Sequence, residues 1–233
     1  MISKKNIASF LLFLFMAISF TGCSNDSTGN ENQNSTGDYW PTSVDNKWVY
    51  TQKGVDNSIK IIGTEEVNGV NYYKFDQLQI FGRAVDYSQP FSIKKNKGDY
   101  YIKVGEKNIT TDGVTSKITG YEFLFFKDYL DINQTWSGTY NYVQSNNAIS
   151  YPLFARTEGT YTGEILEKGI SLTVNGTVFK NVIKFRFTQI LDGIDDAWPT
   201  WNNSTDYWIA KDVGIIKFSY EGIISEIKSH KIK

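Results

Sequence analysis

Trp198, Trp201, Tyr207 and Trp208 crowd into eleven positions among the polar Asn202, Asn203 and Asp206. Flat rings beside amides suit stacking on a sugar whose hydroxyls the amides bond, which makes these four the candidate ligand-binding residues. A plainer reading is that a long connection folds its own tryptophans onto the end of a sheet. Other chemistry is thinly supplied. The only histidine, His230, stands near the end of the sequence beside Glu226 and Lys228, whereas a triad or a histidine zinc site needs it inside a pocket. Cys23 is the only cysteine, so no disulfide forms within the chain and no thiolate cluster holds a metal. No cofactor and no metal are expected. Carboxylates remain: Asp195-Asp196 and Glu65-Glu66 are adjacent pairs, but neighbours in a strand face opposite sides, and a glycosidase needs two acids across a cleft. Asp192 to Asp196 offers oxygens to calcium without the spacing of a known loop. The chain reads as a non-enzyme, with a carboxylate-based glycosidase as the catalytic alternative.

These residues sit among strand signals. Turn pairs recur at Asn68-Gly69, Lys97-Gly98, Asp112-Gly113, Asn175-Gly176, Asp192-Gly193 and Glu221-Gly222, and between them lie runs rich in Ile, Val, Thr, Tyr and Phe. From Asn181 to Ile190, Ile183, Phe185 and Phe187 point one way while Lys184, Arg186 and Thr188 point the other. Tyr100, Ile102 and Val104 alternate with Tyr101 and Lys103, and Ile216, Phe218 and Tyr220 with Lys217 and Ser219. Trp48 with Tyr50, and Trp208 with Ala210, are expected to share core-facing rows. No window past the first twenty residues keeps a 3.6-residue apolar period, so almost no helix is expected. With 15% aromatics, a chain of this length can bury a large core, and one all-β domain is the default.

The amino-terminal part is built differently. Lys4 and Lys5 precede an apolar run from Ile7 to Phe20 that is short for a membrane span, the pattern of a secretory signal over residues 1–22. Its end, Phe20-Thr21-Gly22-Cys23, resembles the lipobox of bacterial lipoproteins, with Phe20 in place of the usual leucine. The resemblance implies that Cys23 is diacylated and becomes the first residue after cleavage, an anchor far stronger than one acyl chain gives. Ser24 after the cysteine implies, by resemblance to sorting in Gram-negative cells, the outer membrane. Removing residues 1–22 takes away two lysines and no acid, which moves the net charge from −1 to −3. No basic stripe suggests nucleic acid.

From Ser24 to Gly37 no aliphatic or aromatic side chain occurs, so residues 23–37 read as a lipidated cysteine and a disordered tether leading to one β domain over 38–233. Such a tether spans about 20 Å on average. Within it Asp26-Ser27-Thr28 resembles the O-glycosylation acceptor of Bacteroidetes-type bacteria, with Ser27 as the candidate acceptor.

A faint repeat runs through the domain. Val67-Asn68-Gly69 recurs as Val174-Asn175-Gly176, and Asp99-Tyr100-Tyr101-Ile102 as Asp206-Tyr207-Trp208-Ile209, both 107 residues apart, with Trp48 and Trp136 leading the two copies. Two similar halves would form antiparallel sheets in a sandwich or a curved half-barrel.

Tyr39-Trp40-Pro41 with Asn46 to Tyr50, the run Gly63 to Phe75, and Asp206 to Lys217 resemble the opening and closing motifs of β-rich Bacteroidetes-type envelope lipoproteins of unassigned function. The sequence has Asp45 where that opening commonly carries glycine. The resemblance implies fold more than activity, since some such proteins curve around apolar ligands. The expected function is therefore a membrane-anchored envelope lipoprotein acting as a binding or assembly module. The alternatives are a carrier of a lipid or other apolar ligand and a glycan-binding or glycan-hydrolysing protein. The expected partners are the membrane, through the lipid, and a glycan or apolar small molecule.

Overall fold

The computed structural model describes residues 35–77, 91–148, 154–193 and 201–233, with Trp201 placed by its backbone alone. Cys23, Ser27 and Trp198 lie outside them, as do the signal segment and most of the tether.

The described residues form an antiparallel sheet of fourteen strands with no helix. In the first half, β1 (Lys47–Gln52), β2 (Val55–Val67), β3 (Val70–Phe75), β4 (Phe91–Asn96), β5 (Asp99–Val104) and β8 (Tyr121–Lys127) lie side by side. In the second, β9 (Thr135–Asn146), β10 (Phe154–Val174), β11 (Thr177–Gly193), β12 (Trp201–Ala210), β13 (Gly214–Tyr220) and β14 (Ile223–Lys231) do the same. The two runs join where β14 pairs with β1, Trp48 opposite His230. The hairpin of β6 (Lys107–Thr111) and β7 (Val114–Ile118) leaves the end of β5 and adds to the opposite edge, Ile118 pairing with Gln144 of β9.

That hairpin is tied to the first half by two short links, 105–106 and 119–120, so the β8 and β9 edges are drawn together although no ladder joins them. Side chains fill the seam instead. Trp136 Nε1 donates to the Leu124 carbonyl at 3.2 Å, and the Leu124 N–H donates to the Tyr161 hydroxyl at 3.3 Å. These bonds satisfy backbone groups that an open edge would leave bare. The sheet is curved and not closed into a barrel, in keeping with the half-barrel alternative.

The core lies on the inner face of the curl. Phe125 of β8 stands 5.3 Å from Phe185, 5.2 Å from Phe187 and 5.0 Å from Tyr207, bridging the two halves. Alternation decides who enters. Ile183, Phe185 and Phe187 are buried, as are Tyr100, Ile102, Val104, Ile216, Phe218 and Tyr220, and so are Trp48 and Tyr50. Trp208 departs from its expected core-facing row. Phe185 pairs with Tyr207 across β11 and β12, so Tyr207 goes inward, and a register shift between Trp208 and Ile209 lets Ile209 and Ala210 both be buried.

The turns follow the Asn-Gly chemistry. Asn68 and Gly69 have φ of 53° and 77°, and Asn175 and Gly176 have 46° and 80°, the left-handed pair that a two-residue hairpin of this hand requires. No atom lies within 4 Å of a Cβ built on Gly176, so a side chain there meets only backbone strain. Gly176→Val should lower the stability by about 1 kcal/mol or more, read as a fall in melting temperature. Asp192-Gly193, expected as a turn, instead closes β11 opposite Glu158 and Thr157. Asp45 has φ of 75°, the conformation that explains a glycine preference there. Its carboxylate meets Lys60 and Lys233, each at 2.8 Å, which holds its pKa at about 2.

The 107-residue offset is only partly structural. Both Val-Asn-Gly triplets are the turns between the second and third strands of their halves. Asp99–Ile102, however, lies on the fifth strand of its half and Asp206–Ile209 on the fourth of the other.

Candidate functional site

Because the strands alternate in direction, their connections fall at two ends, and the chain entering the domain is fastened at one of them. Asp128, directly after β8, is fully buried and accepts hydrogen bonds from Ser35 Oγ and, at 2.9 Å, from the Thr36 N–H. Tyr100 donates to the same carboxylate at 3.3 Å and accepts the Tyr39 N–H at 2.9 Å. Burial pushes the Asp128 carboxyl above the usual carboxylate range, against the pull of these donors. Lys95 Nζ meets Asp38 at 2.9 Å, and the Asp212 N–H meets the Asp38 carbonyl at 2.6 Å. Tyr39 and Trp40 then turn inward, Trp40 lying 5.9 Å from Phe75 and 6.0 Å from Phe125. Residues 35–37, read from sequence as tether, are thus bonded to the domain. Asp128→Ala should cost about 2 kcal/mol by unpairing these donors, with faster amide exchange at Thr36 and Tyr39 as the readout.

The other end of the same inner face has a different lining. Register places three rows in succession: Trp136–Gly163–Phe187–Thr205, then Gly138–Tyr161–Gln189–Asn203, then Tyr140–Gly159–Leu191–Trp201. Going away from the strap, phenylalanine gives way to tyrosine and amides. Tyr121 stacks on Tyr140 at 4.7 Å with planes 8° apart and lies 5.2 Å from Tyr142. Gln189 Nε2 donates to the Tyr140 hydroxyl at 3.0 Å, and the buried Thr205 hydroxyl donates to Asn203 at 3.3 Å. Tyr121, Tyr142 and Gln189 are half-buried, so they form the reachable part of this lining. Burial holds the Tyr121 and Tyr140 hydroxyls well above the ordinary tyrosine pKa, so at neutral pH they hydrogen-bond as neutral groups and supply no base.

No protein-family model matches the sequence, and no curated protein matches it. A solved structure described as a "putative lipoprotein" from Parabacteroides distasonis is similar over 85% of this chain and all of its own, with a TM-score of 0.50 at 11% identity. The likeness is one of fold.

The four candidate aromatics are not gathered into one platform. Trp198 lies outside the described residues, and Trp201 is known by its backbone position opposite Leu191. Tyr207 is fully buried, 5.1 Å from Phe185, and is core. Its neighbour Trp208 is on the outer face, where Lys184 and Lys217 ammonium groups stand 5.0 and 5.4 Å from its ring. Period two makes the separation unavoidable. Asp206 is also outward, in a two-bond ion pair with Arg186. Glu65 is shared by Lys74 and Lys103. His230 is exposed beside Phe179. Among the described residues no group of three His, Cys, Asp or Glu side chains is placed to hold a metal.

Sequence reasoning passed over Tyr121, Tyr140, Tyr142 and Gln189. A signal was present: Trp136, Gly138, Tyr140 and Tyr142 alternate on β9, against Gly159, Tyr161 and Gly163 on β10. Each aromatic of Trp136, Tyr140 and Tyr161 lies on the glycine opposite it.

Proposed function

We propose that this protein is a membrane-anchored envelope lipoprotein, carried by Cys23 on the outer membrane, that works as a non-catalytic binding or assembly module. The observation that carries the reading is the separation of the two ends. The chain from the anchor is clamped by Asp128 at one, and the half-buried tyrosines and Gln189 lie at the other, turned away from the attachment. The lipobox-like run and Ser24 support the anchor and its membrane, and the fold likeness fits a lipoprotein scaffold. Neutral hydroxyls, amides and rings suit recognition better than acid–base chemistry. The test of the anchor is fractionation: wild type should sediment with outer membranes, and Cys23→Ala should move to the soluble fraction. Equal membrane association of the two would refute it.

A second reading is favoured by the amide–hydroxyl pair beside stacked rings, which suits a glycan. In a glycan array, wild type should bind where Tyr142→Ala does not, and equal signals would dismiss this end as the platform. An apolar carrier has less support, because phenylalanine, tyrosine and tryptophan rings occupy the space inside the curl.

A further inference from the structure

Six polar side chains are buried among the described residues, and five of them have partners. Asn46 bonds the Pro41 carbonyl, Asp128 the strap, Asn203 and Thr205 each other, and Ser225 accepts from Gln52. Ser92, 7% exposed, has none among the described residues. A hydroxyl taken out of water without a partner keeps its full desolvation penalty, which a ligand bonded to it would relieve.

Ser92 lines a cavity of about 350 Å³ where β3 ends and β4 begins. Register sets it in an outer-face row between Lys74 of β3 and Lys103 of β5. Both lysines reach one carboxylate, Glu65, at 2.8 and 3.0 Å. Two ammonium groups thus share a single counter-charge, with further N–H donors on each. The other acid at the rim, Glu106, is already paired with Lys117 at 2.8 Å. Local charge at the cavity is therefore +1. Its remaining wall is apolar, formed by Ile62, Phe75 and Phe91. Ile62 is 56% exposed, a large aliphatic residue left uncovered beside two lysines.

We propose that this cavity binds a small monocarboxylate with an apolar body. The carboxylate accepts hydrogen bonds from the Ser92 hydroxyl and from the Lys74 and Lys103 ammonium groups, and it neutralises the unmatched charge. The body lies on Ile62 and on the edges of Phe75 and Phe91. The volume admits a single ring or a short alkyl chain. This site is separate from the tyrosine-lined end, so it stands or falls independently of the role proposed there.

The experiment is titration calorimetry of the full chain in detergent with benzoate, phenylacetate and hexanoate, using benzyl alcohol and benzylamine as neutral and cationic counterparts. At least one carboxylate should bind at one equivalent, and neither counterpart should. Ser92→Ala should weaken that binding about tenfold, a loss of roughly 1.4 kcal/mol, while its melting temperature stays level or rises, since a partnerless hydroxyl has been removed. Lys103→Met should weaken binding at least as much. The proposal is overturned if no carboxylate binds, if benzyl alcohol binds equally, if both variants bind as wild type does, or if Ser92→Ala melts lower.

Discussion

Phe185→Ala should lower the free energy of unfolding by about 3–5 kcal/mol, the range found for emptying a fully buried aromatic position. Phe185 is wholly inaccessible and meets rings from both halves: Phe126 at 4.7 Å, Tyr207 at 5.1 Å, Phe125 at 5.3 Å and Trp136 at 6.0 Å. Those neighbours belong to strands fixed by their own ladders, so the hole cannot collapse without shifting β8 against β11. The check is the midpoint of chemical denaturation, which should fall with the slope unchanged. A midpoint near that of wild type would mean that β11 presents its other face to the core.

Gly163→Val should be comparably damaging, by about 3 kcal/mol, at the upper end of what overpacking usually costs. A Cβ on Gly163 would come within 2.1 Å of the Trp136 ring, which cannot step aside freely because its Nε1 is bonded to the Leu124 carbonyl. The ring must leave the seam or β10 must move away from β9. Either response unpairs a backbone group at the β8 edge, so tryptophan fluorescence should shift to the red along with the fall in melting temperature. Unchanged emission and stability would show that this ring does not hold the seam.

Much of this architecture was legible because period-two patterning and the Asn-Gly pair are both consequences of local geometry. Phe185 and Phe187 could be assigned inward from their polar neighbours alone, and Asn175-Gly176 could be assigned a hairpin from its two left-handed residues. Trp208 could not. Its facing is set by the pairing of its neighbour Tyr207 with Phe185 and by its own pairing with Lys184 and Lys217, which depend on other strands. Ser35 and Thr36 are polar and read as tether, yet they are held by a carboxylate 93 and 92 residues away that composition does not reveal. The tyrosine-lined end escaped notice because Tyr121 belongs to one edge and Tyr140 and Tyr142 to the other. Their meeting follows from the hairpin that ties those edges together. Ser92 gave no sign at all, since its environment comes from Lys74 and Lys103 on flanking strands.

Pairing Lys47 with Lys231 makes the first strand wait for the last. A ribosome delivers β1 long before β14, so during synthesis the leading meander has no neighbour on that flank, and non-local pairing of this kind is slow to form. The ladder between β1 and β14 closes only after β14 has been made, and until then the β1 flank is an exposed edge open to wrong partners.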